Sequence, residues 1–372
     1  MKLNETVGQL TLIGISGHTL TAQEKKFIIE NNISGVVLFA RNVAEPKHIF
    51  DLCNEIQSLR HLMADKAPLF IGIDMEGGRV HRLKTPFTQW PALKTVGDLD
   101  APTVAYQFAL QMGLELMSVG INLDFTPCVD IFNNPKNTVI GDRAVSTDYL
   151  MVEKMTSALV RGYSKSGIFS CAKHFPGHGY TVIDSHEELP IEPFDLKRLH
   201  DVELVPFKKA FRSKVDMVMT GHISFPNIDP KWPVTLSELF LKKMIKDEFR
   251  YRGLIITDDL DMKAMAKHYD KGEIPVRSLE AGADLLLYCN EPDSPPVAIE
   301  SVVQAVATGR LQKSDLETTH AKVLAAKKEK PGMVNALSFN EAMDVVGHKE
   351  HQYLADCLRK KIMPEGIISE HN

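Results

Sequence analysis

Short runs rich in Val, Ile, Leu and Phe recur along the chain at residues 9–15, 35–40, 69–74, 121–127, 167–172, 215–220, 253–257 and 283–288. Between them lie stretches of helical length whose apolar residues fall three or four apart, among them 46–62, 101–119, 148–166, 236–250 and 297–308. The runs are continuously apolar rather than alternating, the pattern of strands buried on both faces, and so predict a parallel sheet covered by helices. Eight such β-α units close naturally into a (β/α)₈ barrel of the TIM type, which is the fold expected here.

In such barrels the chemistry sits at the C-terminal ends of the strands. The residues found there are Arg41, Asp74 with Glu76, Asp124 with Asp130, Lys173 with His174, His222, Asp258 and Asn290. Nearly every strand therefore ends in a polar or charged group, which places the candidate site at that face. The densest cluster is Lys173-His174-Phe175-Pro176-Gly177-His178-Gly179, followed by Asp184-Ser185-His186 and Pro190. Its prolines and glycines predict an irregular loop, with Lys173 and His174 falling where the fifth strand gives out. Loops held by a rigid scaffold are where catalysis concentrates.

Asp184 stands two residues from His186, close enough for a carboxylate to fix the imidazole's tautomer and make it a general acid. The bland alternative is an Asp capping a turn beside an exposed His. Asp258 ends the seventh run, where a carboxylate can attack or stabilise a cationic centre; as a plain helix N-cap it would need no chemistry at all. Asp259, next along, is expected to face away toward the following helix, where Asp is a natural cap. The Gly77-Gly78 pair reads by default as a turn, and segment 132–148, rich in Asn, Pro and Gly and holding Gly141-Asp142-Arg143, as a long loop that is either functional or disordered.

Toward the C-terminus, Ser314-x-x-Glu317 predicts a capping box opening a helix to about Glu329. Residues 1–329 are thus assigned to the barrel. Residues 330–372 are polar, interrupted by Pro331, Gly332 and Gly347, and are expected to form a helical extension packed on the barrel or trailing from it.

A chain of 372 residues with 44% hydrophobic content can bury a large core. A formal net charge of -5 without any Lys/Arg-rich run argues against a nucleic-acid or anionic-membrane surface and for a small ligand. The N-terminal residues lack the apolar region of a secretory signal, and no uninterrupted apolar span is long enough to cross a bilayer, so a cytoplasmic protein is expected. Five scattered cysteines, Cys53, Cys128, Cys171, Cys289 and Cys357, fit buried free thiols, and the lack of a C-x-x-C pair argues against a structural zinc site.

Four segments together, Ile73-Asp74-Met75-Glu76-Gly77-Gly78-Arg79-Val80 with Arg82, Gly141-Asp142-Arg143, the long histidine motif with Asp184-Ser185-His186 and Pro190, and Thr257-Asp258-Asp259-Leu260-x-Met262, resemble glycoside hydrolase family 3. The likeness runs from about residue 7 to 329 and is nearest the single-domain cytoplasmic β-N-acetylglucosaminidases of bacterial peptidoglycan recycling. It implies Asp258 as nucleophile, His186 as general acid and base, and Asp184 as its orienting partner. Asp74, Arg82, Arg143, Lys173 and His174 would hold the N-acetylglucosamine. It further implies a muropeptide or disaccharide substrate. The complete set of acid, partner and nucleophile predicts catalysis without a metal or other cofactor, and a monomer is expected. Val145 replaces the aromatic usual after Arg143-Ala144, Thr257 stands where Ser is common, and Asp261 replaces a small polar residue; these bear on substrate fit rather than reaction type.

Two other readings compete. A barrel with His174, His178, His186, His222 and Asp258 suits a metal-dependent hydrolase, but amidohydrolase barrels carry a His-x-His pair at the end of the first strand, and here that strand leads into Ser16-Gly17-His18. A non-catalytic sugar-binding barrel would be favoured had Asp258 or His186 been replaced.

Overall fold

In a computed structural model, which describes residues 1–330 and 332–366, eight parallel strands form a closed barrel in chain order. They are β1 (Thr11–Gly14), β2 (Gly35–Leu38), β3 (Phe70–Ile73), β4 (Leu123–Asp124), β5 (Phe169–Phe175), β6 (Met217–Thr220), β7 (Leu254–Asp259) and β8 (Leu285–Tyr288). The pairing of Ile13 with Tyr288 closes the ring between β1 and β8. Almost every strand residue is buried, as expected for strands covered by side chains inside and helices outside.

Three strands depart from the apolar runs for identifiable reasons. β4 is only two residues long, because Asn122 replaces ladder bonds with its side chain: Oδ1 accepts from Ile71 N–H at 2.7 Å and Nδ2 donates to the carbonyls of Leu69 and Met333 at 2.9 and 2.8 Å. β5 continues through Lys173 and His174 to Phe175, so these two residues belong to the strand and not to the loop predicted for them; Pro176, which has no N–H, follows its end. β7 likewise carries both Asp258 and Asp259.

The helices follow the three- or four-residue spacing, with corrected ends. The predicted 236–250 helix is a shorter segment, Leu239–Glu248, wound with wider i+5 turns. The 297–308 helix begins earlier, at Ser294, since Pro295 and Pro296 fall in its first turn, where a missing N–H costs nothing. The capping box expected at Ser314 is absent. The helix Lys313–Glu329 starts two residues earlier behind Gln312, and Glu317 pairs instead with Lys313 at 3.2 Å. True capping boxes close at Thr21 with Glu24 and at Ser338 with Glu341.

Beyond residue 330 the polar sequence hides one apolar face. Helices Phe339–Val345 and Lys349–Lys360 bury Ala342, Leu354, Ala355 and Leu358. The link into them is tied to the barrel by Lys330, which reaches Asp216 at 2.7 Å, and by Glu115, which accepts the Gly347 N–H. Among the described residues no helix is long and apolar enough to cross a membrane.

Candidate active site

At the C-terminal ends of the strands a cavity of about 200 Å³ is lined by Asp74, Glu76, Arg82, Arg143, Lys173, His174, His186, Asp258 and Asp259. Consecutive residues on a regular strand face opposite ways. Here the β5–β6 register shifts between Ala172 and Phe175, and the β7–β8 register between Ile256 and Asp259, so Lys173 with His174 and Asp258 with Asp259 all reach the mouth.

One wall is a charge network. Lys173 Nζ bridges Asp74 Oδ1 and Glu76 Oε1, both at 2.6 Å, and Arg143 grips Glu76 with two parallel bonds of 2.8 and 2.9 Å. Burial disfavours the charge on Glu76, but Arg143 and Lys173 overcome it and hold the carboxyl well below the usual range. Burial likewise acts against the Lys173 ammonium, and Asp74 and Glu76 reverse it, keeping the lysine charged. Arg82 approaches Asp74 at 3.9 Å and completes the rim. Four charges locked in this way present the free donors and acceptors of Asp74, Lys173 and Arg143 in fixed positions, which suits a ring bearing several hydroxyls.

His174 donates from Nδ1 to Asp130 Oδ2 at 2.7 Å. Asp130 is fully buried and also accepts the backbone N–H groups of His174 and His178; its carboxyl is lowered to about 2 because His174 and His178 outweigh the burial. The sequence placed Asp130 at a strand end without assigning it this role. Glu76 was passed over in the same way, although it is the hub of the charged wall.

The glycine-bracketed loop arches over the cavity. His178 lies inside it, between Thr181 at 2.6 Å and Ser185 at 3.1 Å, and burial, then the nearby His174, lower its pKa to about 4. It is a neutral pin rather than an acid. Farther along, Ser185 O accepts from Ala264 N–H at 3.2 Å and Glu187 pairs with Lys263 at 2.7 Å, fastening the loop to the segment after β7. His186 projects from the fastened loop with 67% of its side chain exposed while still lining the cavity. Asp184 Oδ1 accepts both the backbone N–H of His186, at 2.9 Å, and its ring Nδ1, at 2.8 Å. Turn cap and imidazole orienter are thus the same oxygen, and Nε2 is left free to act. Partial burial opposes the charge on Asp184, and the bonds from His186 prevail to lower its pKa.

Asp258 lines the same cavity. Its burial is outweighed by His222, His174 and the Asp259 N–H, so its carboxyl lies below the usual range and remains an anion. His222 is held by Thr235 at 2.8 Å and by the carbonyl of Asp259 at 3.0 Å. Asp259 does not cap the following helix, whose N-cap is Met262. Its carboxylate accepts from Cys289 N–H at 3.1 Å and Asn290 Nδ2 at 2.6 Å, bonding the end of β7 to the end of β8. Arg41, another strand-end group, is spent on the carbonyls of Ile15 and Cys289.

The cavity thus combines an anionic carboxylate, a carboxylate-oriented imidazole and a network of fixed charges. The glycosyl hydrolase family 3 N terminal domain matches residues 2–326. The chain belongs to glycoside hydrolase family 3. A beta-hexosaminidase of Hydrogenovibrio crunogenus is 34% identical over 319 residues, 84% of this chain and 86% of the relative, and one of Neisseria meningitidis serogroup C is 36% identical over 76% of this chain and 79% of its own. Among solved structures, a family 3 beta-N-acetylglucosaminidase from Paenibacillus sp. str. FPU-7 superposes with a TM-score of 0.92 at 35% identity, covering 97% of this chain and 69% of that one. NagZ from Neisseria gonorrhoeae in complex with N-trifluoroacetyl-D-glucosamine gives 0.76 at 30% identity, over 95% and 98%. As a family 3 member with these relatives, the protein is a glycoside hydrolase of the beta-hexosaminidase type.

Proposed function

We propose that the enzyme removes terminal, non-reducing β-linked N-acetylglucosamine from peptidoglycan fragments, an N-acetylglucosaminyl-anhydromuramic acid disaccharide with or without peptide, with retention of configuration. The observation that carries this is Asp258 and the Asp184-bound His186 lining one cavity of about 200 Å³. That volume falls below the roughly 300–1,000 Å³ of typical ligand pockets, in keeping with a site for one terminal sugar ring and so with exo action.

The steps follow from retaining glycoside chemistry. An Asp258 oxygen bonds to the anomeric carbon as the glycosidic C–O bond breaks, and the proton on His186 Nε2 goes to the departing oxygen. Water then attacks the anomeric carbon, its proton returns to His186, and the bond to Asp258 breaks, so one water is added across the linkage. An imidazole acid places no second negative charge opposite an anionic nucleophile, unlike the usual carboxyl pair. Asp74, Arg82, Arg143, Lys173 and His174 hold the hydroxyls and acetamide. The reaction takes place in the cytoplasm and in a monomer on this reading, with no nucleic-acid, membrane or cofactor requirement. Release of nitrophenol from the N-acetyl-β-glucosaminide should far exceed that from the plain β-glucoside; equal rates would remove the acetamide from the recognition scheme.

A further inference from the structure

Behind the sugar cavity, Cys128 Sγ, Asp130 Oδ2 and His174 Nδ1 all lie within 4.8 Å of one another, and all three residues are buried. Two backbone amides orient the carboxylate: His178 N–H holds Oδ1 at 2.7 Å, and His174 N–H reaches both oxygens at 3.2 Å. Oδ2 is thereby aimed at the imidazole, 2.7 Å away, and at the sulfur, 3.4 Å away. A tetrahedral zinc ion with ordinary bond lengths needs ligand edges of about 3.3 Å between nitrogen and oxygen and about 3.6 Å between sulfur and oxygen. The sulfur–oxygen edge is nearly at that length already; the imidazole nitrogen has to recede from the carboxylate by roughly half an ångström, and the sulfur–nitrogen edge, within 4.8 Å, has to settle at about 3.6 Å.

We propose that Cys128, Asp130 and His174 form a three-ligand site for a soft divalent cation such as zinc, and that filling it inhibits the enzyme. Thiolate and carboxylate balance the charge of the ion, with imidazole as the neutral third ligand, a donor set suited to zinc. Water completes the fourth position of the ion. On binding, the thiol proton passes to solvent and the metal takes the place of the Nδ1 proton, so the neutral ring carries its proton on Nε2 instead. That nitrogen faces Arg143 Nη2 at 3.4 Å at the cavity wall. Its change from acceptor to donor sets it against the guanidinium and spoils the sugar contacts proposed for both residues. The metal is therefore an inhibitor and not a participant in bond cleavage.

Cobalt(II) is the probe for the site itself. One equivalent should give a thiolate-to-metal charge-transfer band with tetrahedral visible bands in the wild type. The charge-transfer band should vanish in Cys128→Ser and in Cys128→Val, the second variant covering the case that the first fails to fold. Zinc should inhibit nitrophenyl N-acetyl-β-glucosaminide hydrolysis by the wild type, and at least tenfold more zinc should be needed in Cys128→Ser, whose zinc-free activity is unchanged. The inhibitory part rests on the function proposed above, whereas the cobalt spectrum does not: a thiolate band in a protein inactive on the glucosaminide would support the site and count against the function. A cobalt spectrum without a thiolate band would overturn the site. So would calorimetric zinc binding that persists in both Cys128 variants and is lost in Asp184→Asn, which would place the ion on the exposed pair.

Discussion

Asp258 Oδ1 accepts the backbone N–H of Asp259 at 2.8 Å, while the carboxylate of Asp259 turns toward β8 and binds Cys289 N–H and Asn290 Nδ2. Two adjacent acids at one strand end therefore have opposite electrostatics. Asp258 is kept anionic by its imidazole neighbours, whereas burial and then the charge of Asp261 raise Asp259 to about 7.

The raised pKa of Asp259 makes stability depend on pH. A carboxyl whose folded pKa exceeds its unfolded value of 3.8 binds protons more tightly in the native state, so its contribution is full below about pH 4 and is lost as pH rises through about 7. In Asp259→Asn that loss is removed. The variant should gain on the order of 3 kcal/mol relative to wild type between pH 4 and pH 8, read from denaturant midpoints at both. A gap between the two proteins that does not change with pH would show that Asp259 is not titrating there.

Glu76 is the counter-charge for two buried cations. Removing one partner of a buried pair typically costs about 3–5 kcal/mol, much of it from the charge left alone. Glu76→Gln should therefore lower stability by that order and reduce kcat/KM at least about a hundredfold, because Lys173 and Arg143 lose the group that fixes their direction. A variant with normal stability and KM would mean that the charged wall is not organised by Glu76.

Nothing in the proposed chemistry draws on a metal ion, and the first strand leads into Ser16-Gly17-His18 rather than a His-x-His pair. Dialysis against a strong chelator should leave the glucosaminidase rate undiminished. A loss that zinc or manganese restores would favour the metal-dependent hydrolase reading.

Asp184 and His186 should fail in a way that depends on the leaving group. Acid-base catalysis supplies roughly 10²–10⁴-fold, and a nitrophenolate needs little of it. His186→Ala should lose far more rate on a natural disaccharide than on the nitrophenyl substrate when bond cleavage is followed before turnover. Asp184→Asn, which takes the negative charge from the 2.8 Å partner of the ring, should lose a sizeable part of the same factor. Equal losses on the two substrates would remove His186 as the acid.

The barrel was legible because strands buried on both faces read as unbroken apolar runs. Legibility failed where a side chain took over backbone work, as Asn122 does at β4, and where a strand carried polar residues, as β5 does at Lys173 and His174. Asp184 with His186 could be paired from sequence, being two residues apart. The partners of His174 and Arg143 could not, since Asp130 and Glu76 lie 44 and 67 residues away and only barrel closure brings them together. The register shifts that turn two consecutive residues into one cavity have no pattern in hydrophobicity at all.

The adjacency of Asp258 and Asp259 also raises a substrate-assisted route, in which an acidic pair polarises the acetamide and the sugar's own carbonyl attacks the anomeric carbon. The geometry disfavours it, because the Asp259 carboxylate is committed to Cys289, Asn290 and the Asp261 N–H and is held mostly protonated below about pH 7. Asp258 alone has the anionic oxygen to offer the anomeric carbon. Asp258→Asn should nearly abolish turnover, and Asp259→Asn should have a mild effect. A fluorosugar that forms the intermediate quickly and releases it slowly, followed by peptide mass mapping, should place the added mass on Asp258, with the product anomer retained. Strong inhibition by a thiazoline that mimics the acetamide intermediate, with no adduct on any peptide, would instead assign the attack to the substrate and return Asp259 to the reaction.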